Sequence, residues 1–578
     1  MARWIWFIVA IMGLTSQSWA AGGTCPSGAS YLNPTNPTSA LVTLSNLGVT
    51  SCYFIAASGS DSSYDGTTET ISGSHGPWLH APGMPNCTGN CASNTPGAGV
   101  GYIFRGGDTW HFGNSSASPY TGGNWAWTWS GSSSNYIYVG VDPAWYSGSS
   151  WARPIMTGDN PTSTSSSGNS SCTYQTAGAA NRLISLWYVR YLHFDDFEMT
   201  GLCSTGGSNA DNYLSIVGAV AGYQNPGFVE RNYIHGWTYV SVANGGPGQG
   251  GPSGFQGYNQ NYGFTYQFNV VDGSDSDDHA LNAFGENGDG YILQYNVARY
   301  TGGTNINDAC HILHDNLFEY IYNVTDGSTH TDIWFCAGEA NNGTYAGDGT
   351  PNLFYNNIFR NIPAPVSAVL MLGGTTSNGP DYVFNNLFHD YYGENTNYND
   401  FCEAGSCGSF VIFNNTAEAS LPDYAGCIWC NGSSAPTITS VNNHWITNNG
   451  TTPAAVFAYT GPVTESTTVY QTYSAATGQG YTSSNDFAPT SSSSATVTAS
   501  GTNETSGYCA ALNNSTAQAA CESGTTNGCA YNSTSHTVSC PAITANARPA
   551  SAAWNVGAYQ YSGGGAPAPP TNVVEASH

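Results

Sequence analysis

The chain has 578 residues and a formal net charge of −27; it contains no lysine, its nine basic residues being arginines set against 36 acidic ones. Nucleic acid and anionic membrane surfaces are held by clustered Lys and Arg, so the charge balance argues against both as partners. An anionic polysaccharide is repelled in the same way unless calcium bridges the two, whereas a neutral glycan meets no such barrier.

Residues 1–20 read as a secretory signal peptide: Arg3, an apolar stretch over 4–14, then Ser18 and Ala20 flanking Trp19 before Ala21. That apolar stretch is too short to span about 30 Å of hydrocarbon, and no later segment approaches a membrane span. The expectation is a secreted, extracellular protein. All sixteen cysteines lie beyond residue 20, and an even count in an exported chain reads as disulfides. Close pairs are Cys87 with Cys91, Cys402 with Cys407, Cys427 with Cys430, Cys509 with Cys521, and Cys529 with Cys540. A zinc–thiolate site is disfavoured, because each short spacing lacks a matching second pair.

Residues 21–115 are read as an N-terminal cap with the first coils of a solenoid, whose exposed end has to be covered. Trp125, Trp127, Trp129, Trp145 and Trp151 follow and are read as packing residues rather than a sugar platform. Over the body, 116–490, one phrase recurs: a short β-rich run, one or two Asn, then aromatic or aliphatic residues. Its Asn fall at 232, 269, 296, 316, 357, 386, 415 and 443, the last four separated by 29, 29 and 28 residues. In stacked parallel coils equivalent residues lie in register, and a buried Asn at one turn can donate and accept along the stack. Helical periodicity is nearly absent. The fold class is therefore all-β: a right-handed parallel β-helix, or solenoid. A longer echo pairs Gly285 and Glu286 with Gly338 and Glu339, 53 residues on, and reads as two coils. Residues 491–547 form a Ser/Thr/Cys-rich insertion, 548–562 a closing strand, and 563–578 a flexible tail.

Three stretches carry a resemblance: residues 53–66 with Gly76, Pro77 and Trp78, residues 102–110, and Arg548 through Tyr561. They are similar to the opening strand, first full coil and closing strand of secreted right-handed parallel β-helix proteins of the pectate lyase and polygalacturonase group. The resemblance implies a scaffold and leaves the reaction to be argued from the site. Asp277 and Asp278 are similar to the Asp pair of polygalacturonases. The Gly-His-Gly and Arg-x-Lys motifs of those enzymes are missing, which argues against that activity.

Ionisable residues concentrate between 272 and 339. Asp277, Asp278 and His279 are the candidate catalytic residues of one coil, with His330 and Asp332 of another. Glu286, His311, His314 and Glu339 are candidate substrate-binding residues. Coils rise about 4.8 Å each, so equivalent side chains two levels apart stand roughly 10 Å apart, near the 6.5–9.5 Å that separates the carboxyl groups of inverting glycosidases. Turn chemistry alone also enriches Asp in such places. A hydrolase needs no cofactor; calcium is the candidate metal, at Asp275 and Asp277. A lyase of the lysine-dependent kind is excluded, and Arg231, Arg299 and Arg360 read as residues flanking the Asn ladder. The sequence thus points to an extracellular protein that cleaves a polysaccharide, as a hydrolase before a lyase. The alternative is a non-enzymatic glycan-binding, adhesive or structural protein.

Overall fold

The computed structural model describes residues 22–33, 37–38, 41–162, 182–204, 212–217, 226–239, 253–258, 263–276, 281–287, 291–302, 306–307, 311–322, 332–336, 351–366, 368–372, 380–393, 409–419, 428–430, 437–448, 451–453, 456–459, 461–563 and 574–575. A full coil lays down three short strands, such as Phe264–Gln267, Val270–Asp272 and Asn282–Asn287. Stacked coils build a 14-stranded, a 12-stranded and an 8-stranded sheet. Neighbouring strands in these sheets run parallel, except that Gly23–Thr24 lies antiparallel to Ser51–Ile55. The architecture is a right-handed parallel β-helix.

The Asn phrase makes the corner between the 14- and 12-stranded sheets. Asn232, Asn269, Asn296, Asn316, Asn357, Asn386, Asn415 and Asn443 are at most 1% exposed. Each Oδ1 from Asn269 onward accepts two bonds from the preceding ladder Asn, one from its backbone N–H and one from its Nδ2, at 2.9–3.1 Å. The residue before each of them (Arg231, Phe268, Tyr295, Asp315, Asn356, Asn385, Asn414, Asn442) has φ between 55° and 60°. That left-handed kink costs a side-chain-bearing residue about 1–2 kcal/mol. It turns the chain from one sheet to the next, and the ladder bonds that follow offset it.

After the corner the side chains alternate. Two residues past the Asn, Ile234, Val271, Ala298, Phe318, Phe359, Phe388, Ala417 and Trp445 point into the core, with Phe318, Phe359 and Phe388 stacked at 5.0 and 5.1 Å. One residue past it, Tyr233, Val270, Val297, Leu317, Ile358 and Leu387 point outward yet are buried, because the C-terminal segment covers them with Ala488, Cys529, Val538, Cys540, Ala558 and Tyr559. This segment runs back along the corner. Thr502 bonds Asn442, Ala520 and Ser523 bond Asn385, Thr526 bonds Asp315, and Tyr531 bonds Asp272. The Cys509–Cys521 and Cys529–Cys540 disulfides pin it. At the other end Cys25 is bonded to Cys52, and the Ser30 carbonyl accepts from Arg231, whose guanidinium pairs with Asp195 beneath.

Several expectations are met and several corrected. Trp125 and Trp127 are buried in the core, and Cys87 pairs with Cys91. Cys402, Cys407 and Cys427 lie outside the described residues, as does the expected signal peptide. Residues 548–562 add no strand to the solenoid, whose last rungs are Val463–Ser466 and Val469–Gln471. Arg548 is instead buried in the C-terminal segment, bonded to Ser523, Asn385 and Asn555. In the expected tail, Val574–Glu575 pairs with Ser539 and Cys540. The 53-residue echo is not the stacking register: Gly285 stands opposite Asn307, which stands opposite Phe335, a step of 50 over two coils.

Candidate functional site

Three residues past the ladder Asn the side chains again face outward, at the margin of the C-terminal segment. The positions are His235, Asp272, Arg299, Glu319, Arg360, His389 and Glu418, an ionisable group on seven successive coils. Their charges are cross-linked along the sheet. Arg299 lies 3.4 Å from Asp272 and 3.2 Å from Glu319, and Arg360 lies 3.1 Å from Glu319. Asp486 of the C-terminal segment closes the row, 3.2 Å from Arg360 and 3.1 Å from His389. Arg299 is also enclosed by the rings of Tyr300, Tyr320 and Tyr531, at 4.7, 5.4 and 5.0 Å. Tyr300 and Tyr320 stack at 4.8 Å with planes 8° apart. The half-buried phenol rings present flat apolar faces beside fixed charges, a surface suited to sugar rings.

The row is densest at its N-terminal end. His235 Nδ1 is 2.8 Å from Asp275 Oδ2, and its Nε2 is 3.1 Å from Glu198 Oε1. Burial disfavours the imidazolium, but the hydrogen bonds and charges of the two carboxylates outweigh it and push His235 up to about 9. Burial pushes Asp275 up, and the bonds from His235, the Gly236 N–H and Ser276 more than reverse that, leaving it below the ordinary carboxylate range. Tyr233 stacks on His235 at 4.4 Å and on His536 at 4.4 Å. His536 comes from the C-terminal hairpin Ala530–Asn532 and Thr537–Cys540, closed by the Cys529–Cys540 disulfide. Its Nδ1 is 2.9 Å from the Tyr531 hydroxyl, which donates to Asp272 Oδ2 at 2.8 Å. Burial and the nearby positive charge of His235 and Arg153 hold His536 below the ordinary histidine value, against the pull of Asp272 and Glu198. One imidazole is therefore charged at neutral pH and its neighbour is not, a pairing typical of acid–base sites.

Of the candidates named from sequence, Asp275 belongs to this cluster. Both its oxygens are engaged: Oδ2 by His235, and Oδ1 by Gly236 and Ser276. Asp277, Asp278, His279, His330 and Glu339 lie outside the described residues. Glu286 and Asp332 are described through their backbones, in Asn282–Asn287 and at the start of Asp332–Cys336. Phe284 pairs with Ile306 and Ile306 with Trp334, so Asn282 and Asp332 hold equivalent places two coils apart. His311 and His314 are 4% and 3% exposed; His314 is stacked on Tyr355 and bonded to Asp315. Neither ring offers itself to solvent. Among the described residues no group of three or more His, Cys, Asp or Glu is arranged to hold a metal.

Glu198, His235, Tyr233, Tyr531 and His536 were not singled out by the sequence reading. His235 carries a signal, the ionisable position three past a ladder Asn; Tyr233 and Glu198, level with each other at the place one past it, do not. Tyr531 and His536 carry none, since they reach the site only through folding back of the C-terminal segment.

No family model matches the chain, and no curated protein does. Similar solved structures include a GH136 lacto-N-biosidase from Eubacterium ramulus, at 12% identity and TM-score 0.36, covering 73% of this chain and 68% of that one. A rhamnogalacturonan lyase aligns at 14% identity and TM-score 0.35, covering 72% and 87%. Pectate lyase Pel9A aligns at 13% identity and TM-score 0.31, covering 88% and 96%. The fold rests on the strand pairing described above. No helix among the described residues is long and apolar enough to cross a membrane.

Proposed function

We propose that this is an extracellular carbohydrate-active protein that hydrolyses a neutral polysaccharide, bound at the partly exposed margin where His235, Tyr300 and Tyr320 lie. The observation that carries the reading is the His235 cluster, where carboxylates and two oppositely biased imidazoles converge at the end of a row of tyrosines and fixed charges. Glycoside hydrolysis passes through an oxocarbenium-like transition state and needs an acid for the leaving oxygen. Glu198 is partly exposed, with 24% of its side chain open, and only its Oε1 is bonded to His235. In this reading Glu198 faces the anomeric carbon as an anion and stabilises the charge that develops there. Asp277 or Asp278 supplies the acid. Both follow within three residues of the anchored Asp275, at most about 11 Å of extended chain away.

Hydrolysis is favoured over elimination by the net charge of −27, which repels a uronate chain. Calcium is not required: the imidazolium of His235 already neutralises Asp275. A panel of neutral and uronate polysaccharides, with and without calcium, tests this. Calcium-independent release of reducing ends from a neutral glycan, lost in Glu198→Gln and in Asp277→Ala/Asp278→Ala, is the expected result. Unsaturated products would identify a lyase. The second reading, glycan binding without cleavage, is supported by the Tyr300–Tyr320 stack and the paired state of Arg299, Glu319 and Arg360; it predicts retention on a glycan column with no products.

A further inference from the structure

The C-terminal segment covers the corner of the solenoid, and a cover needs only apolar contacts and backbone bonds. Its hairpin does more. Tyr531 reaches from it to Asp272, a carboxylate that is 0% exposed. His536, two-thirds of the way round the same hairpin, sits at φ 53° with its ring on Tyr233. A left-handed His in a tight hairpin is an uncommon conformation that orients its side chain toward the body.

The bond directions follow from the chemistry of the three groups. Asp272 Oδ2 takes the phenol proton of Tyr531, so the Tyr531 oxygen is left as an acceptor toward His536 Nδ1. His536 Nδ1 must then carry the hydrogen, and Nε2 holds a lone pair. The order carboxylate, hydroxyl, imidazole resembles the logic of a catalytic triad, in which a buried anion fixes the tautomer of a histidine and stabilises it once protonated. Here a phenol is interposed, and the base is brought by a different part of the chain from the carboxylate.

We propose that Asp272, Tyr531 and His536 form a proton-accepting relay whose open end, His536 Nε2, activates the water that attacks the glycan, so that the C-terminal hairpin completes the active site. The assignment of the water's target rests on the hydrolytic reading above. In the step, Nε2 takes one proton from water as the water oxygen bonds to the anomeric carbon. The glycosidic C–O bond breaks, and the departing oxygen takes the proton of the Asp277 or Asp278 carboxylic acid. His536 ends as an imidazolium, with its charge balanced by Asp272 through Tyr531. The groups that face His536 are Tyr531, Tyr233, Asp272, Glu198, His235 and Arg153. Burial, with the two cations among them, lowers the basicity of the ring, and the two carboxylates oppose that shift.

The test has two arms on the full-length mature protein. In the first, nitrogen-15 NMR of labelled histidine, assigned with His536→Gln, follows His536 against pH without any glycan. The relay predicts a neutral Nδ1–H tautomer, protonation below that of an ordinary histidine, and a shift in both in Tyr531→Phe. A neutral Nε2–H tautomer, or a Tyr531→Phe spectrum identical to wild type, overturns the relay. In the second arm, on a glycan the wild type cleaves, His536→Gln is expected to lower kcat about 10²–10⁴-fold with KM little changed. It should also abolish the acid limb of the pH–rate profile. A His536→Gln variant that melts like wild type and retains full kcat overturns the catalytic role. A wild type that cleaves no glycan refutes the hydrolytic reading, and the NMR arm still decides the relay.

Discussion

The Asn ladder makes a quantitative prediction about which of its rungs matters most. Asn386→Ala removes an Oδ1 that accepts from the Asn357 backbone N–H and from Asn357 Nδ2, at 3.0 and 3.1 Å. It also removes the Nδ2 donor to the Phe354 carbonyl and to Asn415 Oδ1. Alanine is too small to bring another acceptor to either donor on Asn357. Asn357 Nδ2 keeps its bond to the Leu313 carbonyl, so its loss is partial, whereas the backbone N–H is left with nothing. An orphaned buried donor costs about 1–3 kcal/mol, and the cavity adds more, so Asn386→Ala should destabilise by roughly 3–5 kcal/mol. Asn232 stands at the start of the ladder and accepts below from a single donor, the Phe197 backbone N–H at 3.1 Å. Asn232→Ala leaves the same cavity and orphans one backbone N–H but no side-chain donor, and should therefore cost less, about 2–4 kcal/mol. Denaturant unfolding of both variants, with unchanged slope as the check on comparability, measures the difference. Asn386→Ala costing less than Asn232→Ala, or less than about 1 kcal/mol, would refute the argument that the ladder holds the corner by satisfying buried donors.

Three further outcomes are expected. His235 is raised to about 9 in the folded protein, so its stabilising contribution is fully present below pH 6.5 and is lost as pH rises through about 9; His235→Gln should flatten thermal stability over that window. His389 is raised by its bonds to Asp390 and Asp486 against burial, and Asp486 is depressed by His389 and Arg360 against burial. The latch they form weakens as pH rises through the folded value of His389 or falls through that of Asp486, and Asp486→Asn should speed amide exchange over 480–490 at neutral pH, remove the acid dependence and reduce the alkaline one, which Asp390 still supports. Cys529→Ala/Cys540→Ala opens an eleven-residue link worth up to about 3 kcal/mol; amide exchange should rise across 530–540 while the ladder residues stay protected, and uniform loosening of the solenoid would contradict a local role.

The solenoid was legible because its physics is periodic. A buried amide has to recur wherever coils stack, so the Asn at 357, 386, 415 and 443 announce the register even though intervening loops vary. The charged row obeys the same period, three places past each Asn, but was not read from the sequence, because the alternation of inward and outward side chains is fixed only by the left-handed corner. The register also explains why the Gly285–Glu286 echo misleads: it repeats words of sequence, whereas strand pairing sets Gly285 level with Phe335. The C-terminal segment was not legible. Its contacts, Tyr531 with Asp272 or Asn385 with Ala520, join residues 259 and 135 positions apart and obey no period. Residues 548–561 look strand-like because Trp554, Val556 and Tyr559 are apolar, and that apolarity serves burial against the outside of the helix.

The position of the candidate site follows from that cover. The outward row one past each Asn is mainly apolar and lies beneath the C-terminal segment; the row three past it lies at the segment's edge and is mostly buried. Charges at such an edge cannot be left alone without a desolvation cost, and over most of the row they are not, since Arg299, Glu319, Arg360, Asp486 and His389 close on one another. At the Glu198 end the pairing does not close. His235 is shared between two carboxylates, Glu198 is bonded to it through one oxygen with 24% of its side chain exposed, and His536 has its Nδ1 engaged while the lone pair of Nε2 remains. In the hydrolytic reading proposed above the chemistry sits at this end, where Glu198, His235, Asp275 and His536 gather around Tyr233.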